Sequence, residues 1–562
     1  MKTHSLTSLM SACLLAVAAL SGSAFAQLTG TITGSAVNAE TGKALKNAQI
    51  VVSMTDFGAV TDRQGQFTIS HVPPGRYRMI ARMTNYKRAA RDIEVIAGEI
   101  TRVDYKLLER IFDLDKVVVT ATLSEQEIKW VPAATEVITE TEINEMGAKS
   151  VADALAEAQS LTLQEIPGQG TSASLRGLST KHTLVLLDGR RVSTGFRNQI
   201  DLGEIPNSMI ERIEIVRGPS SALYGSDAVG GVINIITRQP AEGITGRLGV
   251  RYGQSRYGEA KAPHLSGSLA GKSGRLGYSL TTSVDRKGLY DRDKSTAQTT
   301  GDEKNIASSS GKISLEVASD QKLTGGLEYS KTEREGVRTW GWGDGTRLAD
   351  SQRRSVFLEY MGELRETTNL MFRGYQSHFE MDIDIIPLAG GPGGSPLIAS
   401  GDKYHLDQDL YQLEGRWSEL LAGRHQVTMG GDYRSEKRKD NNTLKESGRD
   451  VNNGAFFIQD QFQISEPLLL ILGGRYDRHS DFGSEFSPKV SATWSANDNL
   501  RVKCSYGEGF RAPTICELYI EQSTKKRIER ANPDLDAETS RSFEFGVEGE
   551  NDVLSGKIMF FR

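Results

Sequence analysis

Cysteine is scarce in this chain, with three in 562 residues. Only Cys504 and Cys516 lie beyond the N-terminal segment, too few for a disulfide scaffold. Long hydrophobic runs are missing as well. After residue 26 no apolar stretch reaches the ~18 residues of a membrane-crossing helix, which excludes helical spans. Nor does one charge dominate: 67 basic and 72 acidic residues are well mixed, the net charge is −5, and nothing points to nucleic acid. His71, His182, His264, His378, His405, His425 and His479 form no H-E-x-x-H spacing, and no G-x-S-x-G elbow occurs. No catalytic residue, metal site or cofactor is expected, so the chain does not read as an enzyme.

What is present is a rhythm. From Gly243 onward, alternating polar and apolar segments of roughly ten residues follow one another. The gaps between them alternate short and long. Tight turns recur at Gly271-Lys272-Ser273-Gly274, Ala318-Ser319-Asp320-Gln321, Ser465-Glu466-Pro467 and Ser495-Ala496-Asn497-Asp498. Long polar connections run from Arg286 to Ala307, Lys331 to Gln352, Met381 to Tyr404, Glu436 to Val451 and Glu508 to Thr539. An up-and-down β-barrel across an outer membrane predicts this sorting, with short turns on the periplasmic side and long loops outside. A hydrophobic content of 38% and a mean hydropathy of −0.38 do not oppose it, because only every second strand residue faces lipid. Leu248, Val250 and Tyr252 fall on one face of such a strand, Arg247, Gly249 and Arg251 on the other. Trp417, Tyr433, Trp494 and Tyr506 stand near strand ends, where interface aromatics belong.

Residues 1–26 read as a secretory signal, with an apolar stretch from Leu9 to Leu20 and Ala24-Phe25-Ala26 as the cleavage site. Export would permit a bridge between Cys504 and Cys516; a bridge and two free thiols both remain open. Residues 27–108 alternate short strands with turns at Gln64-Gly65 and Pro73-Pro74-Gly75, which implies a small β-sandwich. The stretches TDRQGQF and VPPGRY resemble the carboxypeptidase regulatory-like, transthyretin-like sandwich. No peptidase activity goes with it, since the only histidine there is His71.

Residues 109–128 form a link holding one β-prone run, Val117-Val118-Val119-Thr120, suited to joining a partner's sheet edge. Residues 129–238 read as a mixed α/β domain. Thr139 to Met146 and Val151 to Ala158 look helical, the first opened by a capping box at Thr139-Glu140-Thr141-Glu142. Strands follow, with Ile213 and Ile215 alternating with Glu214 and Val216. The segments SLRGLSTKHTLVLLDGRRV (174–192) and IERIEIVRGPSSALYGSDAVGGVINIITR (210–238) closely resemble the plug of TonB-dependent outer-membrane receptors. The resemblance places a TonB box, the TonB-binding segment, at Asp115, Lys116, Val117, Val118, Val119, Thr120 and Ala121. It makes 129–238 the plug and 239–562 the barrel. Arg176, Arg190, Arg212 and Arg217 are then candidates for contact with the barrel wall, whose polar lumen accommodates charge.

The expected fold is mainly β: a transmembrane antiparallel barrel filled by an α/β plug and preceded by the sandwich. About fifteen strands are countable after Arg238, and the last candidate, Val553 to Phe561, stops in mid-strand. Plugged transporters have about 22 strands, so an incomplete barrel and a C-terminally truncated chain are expected. YGEGFRAPTICELY (506–519) and NPDLDAETSRSFEFGVEGE (532–550) also resemble the family's barrel.

The resemblance implies energy-coupled uptake of a scarce ligand through TonB, in outer-membrane lipid. A ferric siderophore is the foremost candidate, with cobalamin or haem as alternatives; a non-transporting fragment is a third reading. Phe510 to Leu535 contains no histidine, which disfavours haem. Ligand contacts are expected at plug apices: Gln169 and Thr171 in one, Phe196, Arg197, Asn198 and Gln199 in the other. Arg197 would pair with an anionic chelate. The loop tips at Gly341–Gly345 and Leu388–Leu397 would close over it.

Overall fold

The computed structural model describes the chain except for residues 1–28, 40, 47, 53–54, 56, 84–88, 108–116, 125, 167–169, 194, 196–198, 241, 256–259, 319, 341–342, 366–367, 389–403, 422–423, 442–444, 466, 498, 521, 524–527 and 551–553. The expected signal segment 1–26 therefore lies outside the described residues. The chain divides into two compact units, Met1–Asp113 and Leu114–Arg562.

In the first unit, Gly30–Asn38 alternates buried and half-buried residues along its whole length, the period of a strand with one face on a core. It lies between Gln66–Val72, antiparallel, and Ile100–Arg102, parallel, with Tyr105–Leu107 continuing its parallel edge. A second sheet runs Gly58–Val60, Gln49–Val52, Gly75–Arg82, Ala89–Val95. Ile32, Phe67 and Tyr105 of the first sheet share one core with Ile50 and Met79 of the second. Both expected turns are present. The Asp62 carboxylate accepts the Gln64 and Gln66 amides at 2.8 and 2.9 Å, and the Tyr77 hydroxyl donates to the Pro73 carbonyl at 2.9 Å.

In the second unit, the plug is built on a five-stranded sheet. Its order is Thr135–Thr139, Ile210–Arg217, Gly231–Thr237, Thr183–Leu187, Arg190–Arg191. Leu161–Ile166 and Gly170–Leu175 form a separate hairpin. The helices are shorter than expected, Glu140–Glu145 and Val151–Leu155, but Thr139 and Glu142 form the capping box. Ile213 and Ile215 are buried as their alternation requires, yet Glu214 and Val216 on the opposite face are buried too. The reason is a second small core, in which Val118, Ala121, Val131 and Val137 cover Val216. Gly231 is essential to this sheet. Its φ is +141°, and a Cβ there would lie 2.2 Å from the Val216 carbonyl oxygen. Gly231→Ala is expected to destabilise the plug by roughly 2–3 kcal/mol, read as faster proteolysis of 129–238; unchanged proteolysis would contradict it.

Around the plug runs a fifteen-stranded antiparallel sheet in chain order from Gly243–Gln254 to Ser555–Phe561. Leu248, Val250 and Tyr252 point outward, 79%, 77% and 56% exposed, so the apolar face is the outer one. The inner face is polar and buried, with Gln412, Thr428, Gln459 and Arg475 among its residues. Two expected long connections are strand instead. Gln321–Trp340 and Gly343–Arg365 pair residue for residue to the tip, and His425–Asp440 pairs with Lys445–Ser465. Beyond the apolar band both faces of these hairpins are polar, so they read as loop, yet their backbone groups pair with each other. Longer connections do follow Lys287, Pro387 and Arg511. Among the described residues no ladder joins the first strand to the last.

Candidate functional site

Residues 117–130 thread between plug and sheet. Val117–Val118 pairs antiparallel with Gln126–Glu127. Between them the chain turns: the Leu123 amide donates to the Val119 carbonyl at 2.8 Å, and Leu123 takes a left-handed φ of +60°. The turn is held by Glu214, whose side chain is fully buried. One of its oxygens accepts the Val119 amide at 3.0 Å, the Thr120 amide at 2.9 Å and the Thr120 hydroxyl at 2.6 Å. The other accepts Arg212 Nε at 2.8 Å. The Tyr224 hydroxyl donates to the Thr120 carbonyl, and Asn234 Nδ2 to Thr120 Oγ1, each at 2.9 Å. Burial pushes the Tyr224 phenol well above its ordinary value, which keeps it a donor. From the sheet, Gln459 reaches the Thr122 carbonyl at 3.0 Å and Gln461 the Ser124 hydroxyl at 2.8 Å. Val118 and Ala121 are buried in the small core. Of the expected TonB-binding set, Asp115 and Lys116 lie outside the described residues.

Above this segment lies a cavity between plug and sheet, lined by Arg191, Gln199, Asp227, Arg434, His479 and Arg511 among others. The Arg191 amide donates to the Tyr375 hydroxyl at 2.9 Å. Its guanidinium reaches the Tyr224 carbonyl at 2.7 Å, the Ser226 carbonyl at 2.6 Å and the Asp227 carboxylate at 3.0 Å. Of the candidate ligand residues, Gln199 lines the cavity and donates to Thr180 Oγ1 at 3.1 Å. The Thr171 amide donates to Asp201 at 2.8 Å. Gln169, Phe196, Arg197 and Asn198 lie outside the described residues, as do 341–342 and 389–397 of the two expected loop tips; Gly343–Gly345 are strand instead, paired with Arg338–Trp340.

The four arginines considered for the wall divide evenly. Arg176 pairs with Glu544 and lies over the Phe561 ring at 4.1 Å. Arg190 pairs with Glu328 at 2.5 Å and covers the Phe357 ring. Arg212 and Arg217 turn inward instead. Arg212 binds Glu211 and Glu214, and Arg217 binds Glu136 and the Gln159 carbonyl. Both sit on a strand inside the plug sheet, where plug carboxylates are nearer than the wall.

The wall also holds three plug carboxylates, of which the sequence reading missed Asp188 and Asp201. Asp188 takes Lys312 at 2.6 Å, Asp201 takes Lys304 at 3.1 Å together with Arg334, and Glu204 takes Arg353 at 2.6 Å. Their partners lie far off in sequence, so no local pattern announces them. Asp188 and Gly189 form a tight turn with φ of +51° and +74°, and Arg373 binds both their carbonyls. Burial opposes ionisation of Asp188, but Lys312 and Arg190 outweigh it and hold the carboxyl at about 2. Because the folded value lies below the unfolded one, near 3.9, this carboxylate contributes about 2 kcal/mol above pH ~4, lost as pH falls towards ~2. Protease protection of the plug is therefore expected to fall as pH drops below about 4; protection unchanged from pH ~5 to pH ~2 would contradict it.

Cys504 and Cys516 are free thiols. Glu380, Asp382 and His405 come within ligating distance of one another on the outward face, but both His405 nitrogens are taken up by Asp382 and Asp407.

Comparison with known proteins bears on each segment. Residues 245–562 match a family model described as TonB dependent receptor-like, beta-barrel, and 127–232 match the TonB-dependent receptor plug domain. Residues 32–119 match the CarboxypepD_reg-like domain. An iron-regulated outer membrane virulence protein of Vibrio cholerae serotype O1 is 28% identical over 460 residues, 77% of this chain. The match spans 66% of that relative's own length. The siderophore receptor PirA from Acinetobacter baumannii superposes with a TM-score of 0.64 at 19% identity, over 76% of this chain and 70% of that one. A mutant of the ferric enterobactin receptor PfeA from Pseudomonas aeruginosa gives 0.67 at 20% identity, over 79% and 72%. These likenesses show a shared fold.

Proposed function

As the chain belongs to the TonB-dependent receptor family, we propose that it is an outer-membrane receptor for energy-coupled uptake of a ferric siderophore. The reading rests above all on the segment Val117–Ala121, held by side chains beneath the plug and, among the described residues, paired over two. A segment held this way can be drawn off and added to another sheet edge. Ligand bound at the outer end shifts the plug and frees 115–121; TonB pairs with it as an extra strand and pulls, driven by the inner-membrane proton gradient. The sandwich, TonB box and plug then face the periplasm, and the receptor hydrolyses nothing.

For the ligand, support comes from the relatives: one is iron-regulated and others are named for siderophores. The arginines of the cavity suit an anionic iron chelate. Cobalamin and haem remain alternatives of the same class; the absence of histidine between Phe510 and Leu535 weighs against haem. The test is uptake of radioactive iron as ferric enterobactin by cells whose own siderophore receptors are deleted. Uptake that needs both this chain and TonB supports the reading. Failure with enterobactin and with a panel of other ferric siderophores sinks it.

A further inference from the structure

Thr120 is the most completely held of the described residues of the coupling segment. It is 1% exposed, and every polar group it owns is bound by the plug. Its amide and hydroxyl go to Glu214, its hydroxyl also accepts Asn234, and its carbonyl accepts Tyr224. Glu214 is charged, fully buried, and takes three donors from the segment on one oxygen. Tyr224 closes the one-turn helix Ser221–Tyr224, and its own carbonyl is bound by Arg191. Arg191 lines the cavity. Among the described residues a two-residue ladder adds to this grip, and what opposes it is the left-handed Leu123, a conformation that non-glycine residues adopt only when their surroundings impose it.

We propose that Glu214 and Tyr224 are the positioning residues that latch the coupling segment to the plug through Thr120, and that Arg191 ties this latch to the cavity. The inference rests on the reading of 115–121 as the coupling segment and names what holds it. Charged hydrogen bonds are the stronger kind, so Glu214 is the main grip and the Tyr224 phenol the second. An anion entering the cavity competes with Asp227 and the Tyr224 and Ser226 carbonyls for the Arg191 guanidinium. Drawing Arg191 away frees the turn at Tyr224 and loosens its hold on Thr120.

The test uses the full chain in detergent, with its native cysteines replaced by serine and a single reporter introduced as Val118→Cys. Val118 is fully buried, so the reporter reacts slowly with a water-soluble maleimide while the segment is docked. Ile143→Cys, in the plug core, is the control reporter. Glu214→Gln, and separately Tyr224→Phe, which keeps the ring, are expected to speed labelling at 118 by about tenfold or more, the change that tenfold loss of the docked state produces. Labelling at 143 stays at the parent rate. No change at 118 in either variant overturns the latch, as does labelling at 143 that rises in step with 118. Arg191→Gln is expected to behave like Tyr224→Phe; parent-like labelling there overturns the tie to the cavity. If Glu214→Gln frees the 118 thiol but the thiol never crosslinks to TonB in cells, the latch stands and the reading of 115–121 falls.

Discussion

Deleting residues 115–121 reduces uptake to background while the ligand still binds at least as tightly as it binds the parent, because loosening of the segment by ligand is reciprocal. Binding survives because none of Val117–Ala121 lines the cavity. The deleted residues touch Glu214, Tyr224 and Asn234 from below, whereas the cavity is lined by Arg191, Asp227, Arg434 and their neighbours. Removing the segment leaves the sheet and the wall contacts of Asp188, Asp201 and Glu204 intact, so the receptor still presents a formed cavity. What it lacks is the strand that TonB would pair with. Uptake and binding are measured on the same cells, by radioactive iron with and without an uncoupler. Uptake at the parent rate by the deletion variant would remove the mechanism altogether.

Asp201→Ala costs about 3–5 kcal/mol, the range for removing one partner of a buried ion pair. Asp201 is 5% exposed and serves four donors at once: the Thr171 and Gly203 amides, Lys304 and Arg334. Without it Lys304 and Arg334 are left beside each other with their shared carboxylate gone, and two amides lose their acceptor. Burial opposes ionisation of the Asp201 carboxyl, but Lys304 and Arg334 hold it well below the usual carboxylate range, so it is charged at every working pH. The plug's unfolding midpoint should fall by roughly 10 °C or more, followed by limited proteolysis during heating. A midpoint within about 2 °C of the parent would show that the plug is seated by its apolar core alone.

How far these features were legible in the sequence depended on the range of the interaction behind them. Thr139 and Glu142 are three residues apart, so their capping box was readable and is present. The outward row Leu248, Val250, Tyr252 was readable because alternation is local. Arg212 and Arg217 were not, since arginines in the plug strand can face its wall or its interior; Arg212 is turned by Glu211 and Glu214 of its own strand, Arg217 by Glu136 of the neighbouring strand Thr135–Thr139. The hairpin arms over 331–352 and 436–451 were misread because polar residues on both faces resemble a loop, although their backbones pair to the tip.

The sequence by itself determined the order of parts, the alternation of the sheet, its fifteen strands and the family, because each is carried by local pattern or by long contiguous motifs. The tertiary structure alone decided which charge meets which. Glu214 reads as the polar side of an ordinary strand; it becomes the holder of Thr120 because a segment nearly a hundred residues earlier folds across it. Charges in a polar lumen are placed by whichever opposite charge comes nearest in space, and distance along the chain carries no information about that.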